Sequence, residues 1–148
     1  MANLKELLEK ATSASGAKDY QTAFEIWKSL AEQRNAEAQF NLGRMYSYGR
    51  GVKQNHKEAV KWYRLSAEQG DADAQFNLGL MYHKGQGVLQ DYVLSHMWFN
   101  LAGINGDKSA VKNRDMIGER MSPSQIREAQ QLARSREVVP TCCRTGTC

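Results

Sequence analysis

The chain has 148 residues, 41% hydrophobic and 24% charged, with a formal charge of +4 and a sequence pI near 9.0. That length suits one domain, and no apolar run approaches the ~18 residues that a membrane span requires. The basic balance invites a nucleic-acid reading, but acidic residues are interleaved nearly throughout. A footprint for phosphates needs a patch, so the charge reads as a solvated basic surface and argues against a nucleic-acid partner.

The opening MANLKELLEK interrupts its leucines with charges and lacks the unbroken apolar stretch of a secretory leader. A cytoplasmic protein is expected, or a periplasmic or secreted one whose leader is absent from this sequence. Helical spacing of apolar residues predicts a first helix near 3–14 and a second near 19–33, the latter carrying Ala23, Trp27 and Ala31. The phrase AQFNLGRMY, Ala38 to Tyr46, then returns as AQFNLGLMY, Ala74 to Tyr82, at an offset of 36 residues. The offset persists beyond the phrase: Gly49, Gly51, Val52, Gln54 and Trp62 fall on Gly85, Gly87, Val88, Gln90 and Trp98. Periods of this length signal stacked helical hairpins, each hiding its apolar face against the next.

Within a unit, Ala38, Leu42, Met45, Tyr46 and Gly49 follow the spacing of one helical stripe, and Ala59, Trp62, Tyr63 and Ser66 mark a second helix. The Gly-x-Gly between them suits a chain reversal, so the two helices should run antiparallel. Start signals appear at Asn55 with Glu58 and at Ser122-Pro123 with Gln125, and Asp19 and Asp91 occupy the place of Asn55 in their own units. Gly70 and Gly106 read as stops. The full expectation is eight helices, near 3–14, 19–33, 36–48, 55–69, 72–84, 91–104, 107–120 and 123–136. They form an all-α solenoid with units near 2–37, 38–73, 74–109 and 110–136, the first degenerate and the last divergent, as terminal units with one neighbour must be. Residues 137–148 read as a disordered tail holding Cys142, Cys143 and Cys148; no histidine is near in sequence, and a zinc site usually wants four ligands.

Ala38, Leu42, Gly43, Tyr46, Gly49, Gly51, Val52, Ala59 and Trp62, with their partners 36 residues on, resemble the Sel-one-like repeat family, relatives of the tetratricopeptide repeats. Ser95 replaces the alanine in the second copy. The resemblance covers most of residues 19–136 and implies a right-handed superhelix of antiparallel helix pairs, used as an adaptor for protein complexes. One secreted, cysteine-rich branch of the family has been linked to binding or hydrolysing penicillin-type compounds. No cysteine lies inside any repeat here, so that likeness stops at the helical framework.

In tetratricopeptide-like solenoids the face of the first helix that points away from its own core stripe lines a concave groove. Stepping 100° per residue from Ala38, Leu42 and Tyr46 selects Phe40, Arg44, Ser47 and Tyr48; the same step selects Phe76, Leu80, His83 and Lys84, then Lys112, Met116 and Arg120. Phe40, Phe76, Leu80 and Met116 would form an apolar strip flanked by Arg44, Lys84, Lys112 and Arg120, a cradle for a protein or peptide with apolar and acidic groups. A phenylalanine recurring in two units is equally a packing residue between hairpins, so both readings stand for Phe40 and Phe76.

Catalysis finds little support. Ser-x-x-Lys occurs at Ser15–Lys18 and Ser109–Lys112 without supporting motifs. His56, His83 and His96 share no spacing that marks a metal or acid–base site, and the Gly-x-Gly turns lack the remainder of a phosphate loop. The expectation is a non-catalytic interaction scaffold without a cofactor, monomeric or weakly self-associating, with a penicillin-type binder or hydrolase as the rival.

Overall fold

A computed structural model describes residues 2–137. Cys142, Cys143 and Cys148, and the expectation of a disordered tail, lie outside the described residues. Among those residues there are eight helices and no strand: α1 (Leu4–Gly16), α2 (Tyr20–Glu32), α3 (Ala36–Tyr48), α4 (His56–Glu68), α5 (Ala72–Lys84), α6 (Tyr92–Ile104), α7 (Lys108–Gly118) and α8 (Pro123–Arg136).

The helix starts are set by local chemistry. Each N-cap is Asn, Asp or Ser, and its side chain accepts a hydrogen bond from the backbone N–H three residues on. The Ser122–Gln125 pair forms a reciprocal capping box, as does Asn3 with Glu6, which the sequence reading did not single out. At Asn55 one direction of the expected box is made: Asn55 Oδ1 accepts from the Glu58 N–H at 3.1 Å.

Two glycine positions show why the hairpins close. Gly51 and Gly87 have φ of +72° and +69°, and a Cβ on either would run into the backbone carbonyl of the preceding unit's second helix, Tyr20 and His56 respectively. The turn can therefore seat against the N-terminus of α2 or α4 only if it carries no side chain there. Gly43 and Gly79, inside α3 and α5, serve close approach: a Cβ would lie 2.7 Å from the ring of Tyr63 and 2.9 Å from that of Phe99.

Consecutive helices pack on one another from α1 to α7, so the chain builds a continuous helical-hairpin solenoid. Its core comprises three contiguous groups: one around Trp27, Leu42 and Met45, one around Tyr63, Leu78, Met97 and Trp98, and one around Phe99, Ala110, Ile117 and Ala129. All three tryptophans are buried, as expected of the second helices. The C-terminal end breaks the pattern. α8 lies along α6 and makes no comparable packing with α7, so the fourth unit is not a closed antiparallel hairpin. Its Ala129 and Ala133 are fully buried, and Ile126 and Leu132 pack beside them on the α6 side.

Candidate interaction face

The first helices of successive units, α1, α3, α5 and α7, are separated by three hollows of about 160, 310 and 170 Å³. They are the same hollow repeated. Asn41, Arg44 and Met45 line the first, Asn77, Leu80 and Met81 the second, and Asn113, Met116 and Ile117 the third, each set displaced by one 36-residue step. Their other walls repeat as well: Thr12, Tyr20, Trp27 and Arg50 of the first correspond to Tyr48, His56, Tyr63 and Gln86 of the second. The lining stripe at i, i+3 and i+4 of α3, α5 and α7, extended to i+7 in the last two by Lys84 and Arg120, is what a helix presents on one side.

The predicted residues distribute over these hollows unevenly. Arg44 lines the first; Ser47, Tyr48, Leu80 and Lys84 meet in the second; His83, Met116 and Arg120 meet in the third. Phe40 and Phe76 line none of the three. Both are half-buried, Phe40 with its ring 5.9 Å from Tyr63 and Phe76 5.6 Å from Phe99, where they support the second helices. Lys112 is exposed on α7 and also stands outside the third hollow. Tyr48 and Met116 are open to solvent, 60% and 64% exposed.

Several lining residues escaped the sequence reading, above all Asn41, Asn77 and Asn113, together with Arg50, Tyr20 and His56. The asparagine is visible inside the repeated phrase, but the predicted stripe includes its neighbour Phe40 instead. Arg50 sits between two turn glycines and could not be assigned to a helix face at all. In the structure its guanidinium carbon lies 5.5 Å from the ring centre of Tyr20 and 5.0 Å from that of Tyr48, and Arg44 lies 5.7 Å over Phe40. In the third hollow His83 stacks on Tyr92 at 5.7 Å. Burial pushes the Tyr63 phenol, on the wall of the second hollow, well above its ordinary range.

Other features lie apart from this face. Of the two Ser-x-x-Lys pairs, Ser15 borders the first hollow, while Ser109 and Lys112 are exposed on α7. A cavity of about 670 Å³ opens where the C-terminal ends of α4, α6 and α8 meet, and it contains none of the predicted residues. A concavity of about 450 Å³ lies between α6, α7 and α8, bordered by His96, Arg114 and Asp115, in the wedge created by the displacement of α8. Among the described residues no three His, Cys, Asp or Glu side chains gather as metal ligands, and no helix is long and apolar enough to cross a membrane.

The family described as Sel1 repeat matches residues 13–35, 36–71 and 72–107, well over half of the chain. The protein belongs to the Sel1 repeat family. It is similar to a putative sel1-like repeat-containing protein of Acanthamoeba polyphaga mimivirus, 53% identical over 38 residues, or 26% of this chain and 7% of that one. Among solved structures it is similar to c5321, described as a protective antigen of uropathogenic Escherichia coli with an SLR fold. The TM-score there is 0.86 at 29% identity, over 91% of this chain and 30% of the other. A Sel1 repeat protein of Oxalobacter formigenes superposes with a TM-score of 0.71 at 28% identity, over 86% of this chain and 55% of that one. The chain thus spans a small part of the curated relative and about a third to a half of these structural relatives. What it shares with them is the repeat scaffold.

Proposed function

We propose that this Sel1 repeat protein is a non-catalytic module that binds an extended segment of a protein partner across the hollows of α1, α3, α5 and α7. The observation that carries this reading is the recurrence of one hollow three times at 36-residue intervals with different side chains in each. An extended peptide presents side chains at regular intervals, so a row of equivalent recesses suits it better than it suits a compact small molecule. The middle and third recesses combine apolar and basic groups, Leu80 with Lys84 and Met116 with Arg120. Aromatic and methionine side chains on such a surface supply contact area, and the cations supply orientation.

The test is capture of a partner by the wild-type chain, by an Arg44→Glu/Lys84→Glu variant and by Leu80→Asp, all at matched melting temperature. Retention should fall at least tenfold in both variants. A partner held undiminished by both would place its binding surface elsewhere on the molecule.

A further inference from the structure

The three hollows share a frame, but the first differs in charge. Its lining includes two guanidinium groups, Arg44 and Arg50, where the second has Leu80 and Gln86 in the same places. We infer that the hollow between α1 and α3 recognises the side-chain carboxylate of an aspartate or glutamate in the bound peptide. This rests on the reading of the α1–α3–α5–α7 face as a peptide groove and adds the chemistry of one of its recesses.

Three observations carry the assignment. First, among the described residues neither arginine is paired with a carboxylate. Among the described residues the ion pairs are Lys5 with Glu9, Arg114 with Asp115 and Arg136 with Glu68. Second, both guanidiniums are held in place by aromatic faces. Arg50 stands over the rings of Tyr20 and Tyr48, and Arg44 over Phe40. A guanidinium held by aromatic faces keeps N–H groups along its edge available, and those groups match a carboxylate two at a time. Third, the backbone fixes Arg50 where it is. Gly49 and Gly51 both adopt positive φ, and Gly51 abuts the Tyr20 carbonyl, so the turn that carries Arg50 is locked onto the start of α2.

The remaining polar groups complete the picture. Asn41 donates its side-chain N–H to the Glu37 carbonyl and Thr12 its hydroxyl to the Leu8 carbonyl, while Ser15 lies on the wall with its hydroxyl. A hollow of about 160 Å³ suits a short acidic side chain. A nucleic acid, with phosphates at regular intervals, would need the arginine pair in every recess, and Leu80 and Met116 replace Arg44 in the next two. The favoured partner sequence therefore has an acidic residue at one end of the contact and apolar residues beyond it.

The test uses an array of octapeptides blocked at both ends. Each carries one Glu, Asp, Gln or Asn among leucine, alanine and serine, and the array is probed with the full chain. Acidic peptides should bind at least tenfold more tightly than their amide counterparts. An Arg44→Gln/Arg50→Gln variant of unchanged melting temperature should lose that ratio while still holding leucine-rich peptides. Arg50→Lys, which keeps the charge and loses the planar fork, should restore only part of it. A ratio near one in the wild type, or one that survives in the double variant, overturns the carboxylate assignment and leaves the groove intact. So does inorganic phosphate displacing the acidic peptides at concentrations where acetate does not, which would mark a phosphopeptide site. If no peptide is retained, or if Leu80→Asp changes nothing, the groove itself fails, and the assignment with it.

Discussion

His96 shows what a single residue contributes once the chain is folded. It lies on α6, 5% exposed, with Nδ1 buried and unpartnered, and it faces Arg114 and Asp115 of α7, Glu119 just past the end of α7, and Gln130 of α8. Burial pulls its pKa below the ordinary imidazole value of 6.5; Arg114 pulls the same way, and Asp115 opposes both in part. Below about pH 6.5 the unfolded chain takes up a proton that the folded chain refuses, so the unfolded state gains as pH falls. The His96 share of the unfolding free energy should therefore fall between pH 7 and pH 5, with a slope no steeper than the ~1.4 kcal/mol per pH unit that one proton allows. The contribution of His96 is the difference from His96→Phe, which should lose part of this slope; identical profiles would show that folding leaves the affinity of the imidazole for its proton unchanged. In the sequence His96 aligned with Val60, which pointed to packing and gave no hint of the arginine opposite it.

Between elements, a buried polar ladder fixes one hairpin to the next. Gln39 Nε2 donates to the Ala31 carbonyl at 3.3 Å, and Gln69 Nε2 donates to Gln39 Oε1 at 2.7 Å. One unit later Gln75 Nε2 donates to the Ala67 carbonyl at 3.1 Å, and Asn105 Nδ2 donates to Gln75 Oε1 at 3.0 Å. Each glutamine thus reads the end of the previous helix and is read by the end of the next one, a contact that apolar packing cannot place so specifically. Gln75 is 3% exposed, and Gln75→Leu would remove one of the bonds to the Ala67 carbonyl, which keeps the Gly70 N–H, and leave the Asn105 amide only its 3.4 Å contact with the Gly70 carbonyl. The expected cost is about 0.5–1.5 kcal/mol in chemical denaturation. A loss near zero would mean that the repeats are aligned by their apolar faces alone. The glutamine lies inside the repeated phrase, but only the neighbouring hairpin shows that this polar residue beside Ala38 is buried.

For the whole molecule, the unexpected feature is the docking of α8. A terminal unit must hide an apolar face that has no further neighbour, and here the last helix does so by lying along α6. Removing residues from Ser122 onward would uncover the sites against which Ile126, Ala129, Leu132 and Ala133 pack. Ile126 and Leu132 are half-buried, so at roughly half of the ~1.5–3 kcal/mol for full burial each, they suggest a loss of about 2–3 kcal/mol. The truncated chain should melt earlier and show a concentration-dependent mass in reducing buffer, because Trp98 and Phe99 would lie near a new surface. An unchanged melting temperature would show that α8 is an appendage and not a cap.

By itself the amino-acid sequence determined the hairpin array: the helix starts, the turns and the order of units follow from N-caps, glycines and a 36-residue period, all of which act within a few residues of one another. The tertiary structure alone decided which side chains share a recess. Arg50 of a turn, Tyr20 of α2 and Arg44 of α3 meet because the Gly51 turn seats on the start of α2. It also decided that α8 leaves α7 for α6, since the same apolar stripe on α8 would satisfy either neighbour and only the shape of the surface already built selects between them.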